Sequence, residues 1–206
     1  MNGKIIVEAF SAGTAFDQVN MKVDRRTGDA DGESALGDFI ADAQREYAGA
    51  QIAFMNPGGI RADILEGQTT YGELFTVQPF DNQVVRMKLT GDQIYHLLEQ
   101  QFRADGTSRI LQVSGIKVSY NASNPAGQRI TSLTLTDGTP VDRGATYTVA
   151  ANSFIATGGD GFTVFKEGQN PQTIGSDLDA LEAHVSALPQ PFGVPSDFGQ
   201  RITRQG

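Results

Sequence analysis

The sequence predicts an α+β fold, a single domain in which a mixed β-sheet and hairpins pack against inserted helices. Three observations point to this class. Helical periodicity appears in separate stretches, strand-like segments lie between them, and the turn Asp137-Gly138 closes a hairpin. Hairpins interleaved with single helices favour α+β over a doubly wound parallel sheet. The chain has 206 residues, of which 39% are apolar, so it can bury a sizeable core.

The N-terminal part is predicted to be an extension that leads into a helix. Residues 1–32 are interpreted as a linker or extension, and residues 33–206 as the domain. Within the domain, residues 33–48 predict a helix, because apolar residues recur at three- and four-residue spacing. Gly49 supplies a natural end to this helix.

A strand and a glycine turn come next. The apolar residues 51–55 predict a buried strand, and residues 56–61 form the turn. Residues 62–68 are expected to be a loop, and residues 70–75 a short helical turn.

The middle of the chain alternates strands with one helix. Residues 83–89 alternate between apolar and polar side chains and predict a half-buried strand. Thr90 is expected to cap a helix over 91–104. Two strands, over 110–113 and 116–120, follow and are separated by a serine and a glycine.

The last third contains the hairpin and a final helix. Residues 129–136 and a short return strand form the hairpin, and residues 147–151 form a buried strand. A glycine-rich loop follows this strand. Residues 177–188 predict an amphipathic helix, the Pro-rich residues 189–195 a linker or surface crossing, and residues 201–204 a closing strand.

Composition and motifs exclude several function classes. The net charge of −8 argues against a general nucleic-acid binder. The sequence has no cysteine, and no apolar stretch reaches the roughly 18 residues of a membrane span. His96 and His184 lack a second ligand at zinc spacing, so no metal site is predicted. No nucleophile elbow or phosphate-binding P-loop occurs, so the chain is expected to bind rather than to catalyse, and no catalytic residue is assigned.

The turn Asn56-Pro57-Gly58-Gly59-Ile60-Arg61 is the first candidate binding element. Its two glycines allow the backbone to approach a ligand closely, and free N–H groups in such a turn can hold an anion. Arg61 adds a planar cation suited to carboxylate or phosphate. On these six residues alone, a strand-ending turn with a surface arginine explains the pattern equally well.

Two phenylalanines beside polar turns form the second candidate. Phe80 precedes a predicted strand, and Phe154 opens the second glycine-rich loop. Such phenylalanines usually fill the hydrophobic core. Two rings can also stack on a planar base, with a gain of roughly 1–3 kcal/mol per base. Asn82 and Asp160 would then supply an amide and a carboxylate for recognition of the ligand's edge.

Several motifs together resemble the C-terminal domain of the 5′-nucleotidase / UDP-sugar hydrolase family. In family order and spacing they are Glu33-Ser34-Ala35-Leu36-Gly37, Asn56-Pro57-Gly58-Gly59-Ile60-Arg61, Tyr71-Gly72-Glu73-Leu74, Gln78-Pro79-Phe80-Asp81-Asn82, Leu89-Thr90-Gly91, Asn152-Ser153-Phe154 and Gly158-Gly159-Asp160-Gly161-Phe162. The resemblance is strong over roughly residues 33–166. In this family the domain supplies substrate specificity.

The resemblance implies a role for each matching position. It implies that the base is sandwiched between Phe80 and Phe154. Asn56 and Arg61 would contact the ribose and phosphate, and Asp160 the ribose hydroxyls. Asn82 matches a base-edge position, and Gly106 a backbone contact. The remaining substrate-binding positions are the loop glycines Gly58, Gly59 and Gly159.

The sequence also departs from the family pattern. Family members carry a separate N-terminal metallophosphatase domain that holds two divalent metal ions, and nothing in this chain matches its motifs. The phosphate-binding arginines that many members place before the first helix are replaced here by Ala30, Asp31 and Gly32. Arg25 and Arg26 lie further upstream and could substitute through a shift of the loop.

The interpretation is therefore a nucleotide- or nucleoside-binding domain of a 5′-nucleotidase-like phosphohydrolase, from a secreted, periplasmic or cell-surface enzyme. No cofactor is expected in this chain, and its expected partner is the metallophosphatase domain of the same parent protein. A free-standing binding module without catalysis is the alternative, and a degenerate structural domain is a third. An upstream reading frame that encodes a metallophosphatase domain would separate the first two.

Overall fold

The computed structural model describes residues 16–19, 32–65, 67–189, 198 and 200–206. The helices are α1 (Ala35–Ala48), α2 (Tyr71–Val77), α3 (Gly91–Glu99), α4 (Ser153–Ala156) and α5 (Asp177–Ala187). The strands are β1 (Phe16–Val19), β2 (Ile52–Met55), β3 (Gly67–Thr69), β4 (Gln83–Thr90), β5 (Gln112–Ser114), β6 (Ile116–Tyr120), β7 (Ile130–Leu135), β8 (Thr146–Asn152), β9 (Gln169–Ser176) and β10 (Ile202–Arg204). Short 3₁₀ turns occupy Pro57–Gly59, Gly159–Gly161 and Thr163–Glu167.

A five-stranded mixed sheet, in the order β5-β2-β8-β4-β9, forms the centre of the fold. Strands β2 and β8 are parallel, with Phe54 opposite Ala151, and the other neighbouring pairs are antiparallel. A second sheet has the order β10-β6-β7, and β1 pairs with β3. This mixture of sheets and packed helices confirms the predicted α+β class.

The central sheet separates two apolar layers, because alternate side chains of a strand point to opposite faces. Ile52 and Phe54 of β2 pack into the larger core with α3 and the second sheet. Met55, on the opposite face, packs with residues of α1, α2 and α5. The first helix has the expected ends, since the Ser34 side chain accepts a hydrogen bond from the Gly37 N–H and Gly49 has a φ of 57°.

The predicted helix over 91–104 was too long, since α3 ends at Glu99. Tertiary hydrogen bonds remove the next residues from the helix. Gln101 accepts a hydrogen bond from the Leu111 N–H at its side chain (2.6 Å) and one from the Arg109 N–H at its carbonyl (2.9 Å). Phe102 and Ser108 form an isolated bridge that closes a loop.

Other differences concern polar edge segments. The loop predicted over 62–68 contains the start of β3, which pairs with β1. Strand β9 is largely exposed and polar, so it carried no apolar alternation that would have predicted it. The return segment of the hairpin is reduced to a bridge between Thr134 and Pro140. The closing strand is confirmed as β10, which is parallel to β6.

Two predicted segments fall mainly outside the described residues. Of the extension over 1–32, the structure describes only β1 and Gly32, so the predicted division of the chain stays a prediction. Arg25 and Arg26 belong to the part that is not described. Most of the Pro-rich segment, residues 190–197, also lies outside the described residues.

Candidate binding site at one edge of the central sheet

Strand directions bring four separate segments to one edge of the central sheet. The carboxyl ends of the parallel strands β2 and β8 meet there, with residues 56–61 and 153–161 following them. Strand β4 is antiparallel to β8, so residues 80–82 precede β4 at the same edge. Strand β5 is antiparallel to β2 and brings the preceding loop, residues 102–111, to that edge. Ligands of α/β sheets commonly bind beyond the carboxyl ends of parallel strands.

A cavity of about 400 Å³ opens at this edge, a size within the usual range of small-molecule sites. Its lining residues come from three of the four segments: Asn56, Gly58, Gly59, Phe80, Asn82, Phe154 and Asp160. Phe80 is 53% exposed and Phe154 is 47% exposed. Neither ring is therefore buried in the hydrophobic core, which was the alternative that the sequence left open.

The first glycine turn follows β2 and places Asn56 at the bottom of the site, where it is buried. A Cβ atom on Gly59 would lie 2.6 Å from Met55 Cε and 3.1 Å from Asn56 Oδ1, so a side chain at this position would require the Met55 side chain to shift. The Arg61 N–H donates to the Val77 carbonyl (2.9 Å), and the Arg61 guanidinium lies 5.7 Å from the centre of the Phe80 ring. Arg61 is thus next to the aromatic wall of the cavity.

The second loop begins at Asn152, whose side chain caps the short helix α4 by accepting a hydrogen bond from the Ile155 N–H (3.1 Å). Gly158 has a φ of 88° and reverses the chain after this helix. A Cβ atom on Gly159 would lie 2.5 Å from the Phe154 carbonyl oxygen and 2.8 Å from its ring. Gly159 therefore allows the Phe154 ring to lie against the loop backbone.

Buried amides connect the two loops to Asp160. Asn152 Nδ2 donates to Asn56 Oδ1 (2.8 Å), and Asn56 Nδ2 donates to Asp160 Oδ2 (3.1 Å). Asp160 Oδ1 forms an ion pair with Arg109, and the Asp160 carbonyl accepts a hydrogen bond from Arg103. The position of the Asp160 carboxylate is thus fixed from both sides.

Asn82 is held by two neighbours, Ser153 and Asp177, at the other wall of the cavity. Ser153 Oγ donates to Asn82 Oδ1 (3.2 Å), and the Asp177 N–H donates to the Asn82 carbonyl (2.9 Å). Gln78 Nε2 donates to Asp177 Oδ2 (3.3 Å). Burial raises the pKa of the Asp177 carboxyl to about 7, and the charge of Asp81 adds to this effect, while hydrogen bonds from Asn82 and from the backbone oppose it.

The structure brings together most of the predicted site residues. Seven of the ten line the cavity, and Gly159 supports the Phe154 ring while Arg61 lies beside Phe80. Gly106 is different. It has a φ of 83° in the loop between Arg103 and Arg109, a Cβ atom there would meet open space, and it does not belong to the described cavity lining.

Four further residues hold the site and were not assigned to it from the sequence: Arg103, Arg109, Asn152 and Ser153. Asn152 and Ser153 belong to a motif that the sequence showed, so they could have been assigned. Arg103 and Arg109 have no local signal, because only the fold of the 102–108 loop directs them to Asp160.

The histidines have structural surroundings. His96 is exposed and lies 3.7 Å from Asp92 Oδ2. His184 Nδ1 lies 2.8 Å from Glu46 Oε2, and its ring packs edge-on against Phe39. In the part of the chain that the structure describes, no group of three or more His, Cys, Asp or Glu could hold a metal ion. Nor does any helix of that part combine the length and hydropathy needed to cross a membrane.

The fold and the cavity define an α+β domain with an aromatic-lined site at the edge of its central sheet. Comparison with known proteins shows the family: the chain belongs to the 5′-nucleotidase C-terminal domains, whose model matches residues 11–167. This finding confirms the resemblance inferred from the motifs.

Individual relatives agree with this assignment. The chain is 39% identical, over 69% of its length, to the trifunctional nucleotide phosphoesterase protein YfkN of Bacillus subtilis. It is 36% identical, over 75% of its length, to the cell wall protein Lmo0130 of Listeria monocytogenes. A crystal structure of the 5′-nucleotidase precursor from Thermus thermophilus superposes over 93% of the chain with a TM-score of 0.80 and 34% identity. The chain spans 10%, 21% and 39% of these three proteins, respectively.

Proposed function

We propose that this chain is the nucleotide- or nucleoside-recognition domain of a 5′-nucleotidase-like phosphohydrolase, and that it stacks the base between Phe80 and Phe154. One observation carries the proposal. Two half-exposed phenylalanines from loops on different strands line one cavity together with an amide and a carboxylate. Aromatic rings hold planar bases with roughly 1–3 kcal/mol per base and with little selectivity.

The other lining groups suit the remaining parts of a nucleotide. Asp160 accepts hydrogen bonds from the ribose hydroxyls, and Asn56, which is bonded to Asp160 at 3.1 Å, lies beside the same sugar. Arg61, next to Phe80, supplies the cation for the phosphate. Asn82 recognises the edge of the base through hydrogen bonds. The global charge of −8 repels anions, so these local groups must supply the attraction for a phosphate.

Catalysis belongs to a second domain of the parent protein. Metal-assisted attack of water on the phosphate needs two divalent ions, which a metallophosphatase domain would hold. The described residues of this chain do not fit such ions, so no chemical step is assigned to them. Their contribution is to position the nucleoside against the metal centre. A location outside the cell or on its surface is consistent with the name of the relative from Listeria monocytogenes, a cell wall protein.

Titration calorimetry with adenosine and AMP tests the aromatic site. Phe80→Ala and Phe154→Ala are each expected to weaken binding about tenfold to a hundredfold, because stacking contributes roughly 1–3 kcal/mol. Phe75→Ala is the matched control, since Phe75 is also 46% exposed but does not belong to the described cavity lining. Equal effects of all three substitutions, or no binding to the unmodified chain, would contradict the proposal.

The Phe80→Ala and Phe154→Ala variants are expected to be as stable as the unmodified chain, because both rings are half-exposed. Alanine in place of a buried ring such as that of Phe162 would instead cost roughly 3–5 kcal/mol of unfolding free energy. Thermal unfolding of the Phe80→Ala, Phe154→Ala and Phe162→Ala variants therefore separates a loss of binding from a loss of folding.

A further inference from the structure

All three oxygen atoms of Asp160 are engaged by other parts of the chain. Oδ2 accepts a hydrogen bond from Asn56 (3.1 Å), Oδ1 pairs with the Arg109 guanidinium, and the carbonyl oxygen accepts from Arg103. The Asp160 side chain is only 11% exposed. An anion with so little solvent contact needs a nearby cation, and Arg109 provides it.

The backbone at Asp160 also needs support from outside its own loop. Asp160 has a φ of 54°, in the left-handed region that non-glycine residues seldom adopt. Its neighbours Gly158 and Gly161 have φ values of 88° and 83°. The two glycines adopt positive φ values readily, whereas Asp160 does not, so local sequence preferences alone do not fix the direction of the Asp160 carboxylate.

Arg103 and Arg109 reach Asp160 from one tight loop. The Arg103 N–H donates to the Thr107 carbonyl (2.9 Å), the Gly106 N–H donates to the Arg103 carbonyl (3.2 Å), and Phe102 and Ser108 form a bridge. The Arg109 N–H is bonded to the Gln101 carbonyl (2.9 Å), which fixes the start of its side chain. The Arg109 side chain itself is 47% exposed, so its role is not that of a core residue.

We propose that Arg109 is a positioning residue for ribose recognition. A carboxylate has about four acceptor positions, and Arg109 and Asn56 together occupy two of them. Arg109 holds the Asp160 carboxylate in one orientation and neutralises it, so that the two free positions face the cavity and accept hydrogen bonds from vicinal ribose hydroxyls. The ligand class that this arrangement selects is a ribonucleoside or ribonucleotide rather than its deoxy counterpart. The inference rests on the proposed function.

The test compares the affinities of adenosine and 2′,3′-dideoxyadenosine by calorimetry. The unmodified chain is expected to prefer adenosine about tenfold or more, because hydrogen bonds to a charged group are the stronger kind. Arg109→Gln is expected to reduce this preference about threefold or more, through weaker adenosine binding with little change for the dideoxy ligand. Arg109→Lys keeps the positive charge but lacks the planar guanidinium group. Its preference for adenosine should therefore fall between that of the unmodified chain and that of Arg109→Gln.

Arg143→Gln is the matched control. Arg143 is also a half-exposed arginine paired with an aspartate, since its Nη1 lies 2.6 Å from Asp92 Oδ1, but its partner belongs to α3. Its substitution should leave the preference for adenosine unchanged. A purely structural role of Arg109 would lower the affinity for both ligands alike and keep their ratio constant.

The outcomes distinguish a failure of the proposed function from a failure of the role of Arg109. If the unmodified chain binds neither nucleoside, the proposed function fails and the role of Arg109 fails with it. If it binds adenosine and the ratio is the same in the Arg109→Gln variant, only the role of Arg109 is overturned. Should Arg109→Gln not fold, Arg109→Lys decides, since a ratio equal to that of the unmodified chain would overturn the inference.

Discussion

Asn152 and Asn56 are joined by a hydrogen bond of 2.8 Å, although 96 positions separate them in the sequence. Both side chains are buried, and each makes a further bond, Asn152 with the Ile155 N–H and Asn56 with Asp160 Oδ2. The bond connects the ends of the parallel strands β8 and β2. A buried amide pair of this kind, with its partners satisfied, fixes the two glycine-rich loops relative to each other.

Gly159→Ala tests whether the loop backbone must lie against the Phe154 ring. The added Cβ atom would lie 2.5 Å from the Phe154 carbonyl oxygen, so the loop or the ring has to shift. We expect calorimetry to show adenosine binding weakened about tenfold, because stacking contributes roughly 1–3 kcal/mol per base. In the control variant Gly144→Ala, the nearest atom is 3.5 Å away, and no change is expected. Unchanged binding by Gly159→Ala would contradict the close packing.

Arg201→Ala tests the buried ion pair that attaches the C-terminal strand to α1. Arg201 donates two hydrogen bonds of 2.8 Å to Asp42 and one of 3.0 Å to the Val113 carbonyl. Removing the guanidinium leaves the partly buried Asp42 carboxylate without this cation. Denaturant unfolding should therefore show a loss of roughly 3–5 kcal/mol.

An exposed ion pair provides the comparison for Arg201. Arg143→Ala breaks the pair with Asp92, in which both side chains are about half exposed. Such pairs contribute roughly 0–1 kcal/mol, so the loss of unfolding free energy should be no larger than this. Equal losses for the two variants would show that burial of the Arg201 pair does not determine its contribution.

Asp177→Asn tests the raised pKa beside Asn82. The folded chain binds the Asp177 proton up to a pH of about 7, whereas an unperturbed aspartate loses it near 3.8. The contribution of Asp177 to stability is therefore complete below pH 3.8 and is lost as the pH rises towards 7. The total loss is at most about 4 kcal/mol, since one pKa unit corresponds to about 1.4 kcal/mol.

Unfolding free energies measured at about pH 5 and pH 8 test whether Asp177 makes the chain less stable as the pH rises. Asp177→Asn cannot ionise, so its stability should fall less between the two pH values than that of the unmodified chain. Asp179→Asn, at an exposed position in the same helical turn, is the control and should keep the original difference. A stability that rises from pH 5 to pH 8 only when Asp177 is present would contradict the raised pKa.

The chain by itself is expected to release no phosphate from AMP. Its two histidines are separate, with His96 beside Asp92 and His184 beside Glu46, and neither joins a group of metal ligands in the described ranges. A phosphate assay with added manganese, zinc or cobalt should match a buffer control. Turnover of about 1 per second or faster, a typical enzymatic rate, would refute this expectation.

Local sequence patterns predicted much of the fold. The helix α1 and the strand β2 were confirmed, because apolar spacing records which face of a segment is buried. The closing strand β10 was also confirmed. The end of α3 was not predictable, since its apolar pattern continues while Gln101 makes tertiary hydrogen bonds that stop the helix. Strand β9 was missed because an exposed polar edge strand shows no alternation.

The sequence by itself determined the family and the loop chemistry: the glycines that permit close approach, the two phenylalanines, and the polar residues beside them. These features are local, since backbone conformation and side-chain type are properties of each position. Only the tertiary structure decided that Phe80 and Phe154 line one cavity and that Arg109 pairs with Asp160. The physical reason is strand pairing, because the directions of β2, β4, β5 and β8 determine which loop ends share an edge of the sheet, and no short-range pattern encodes those directions.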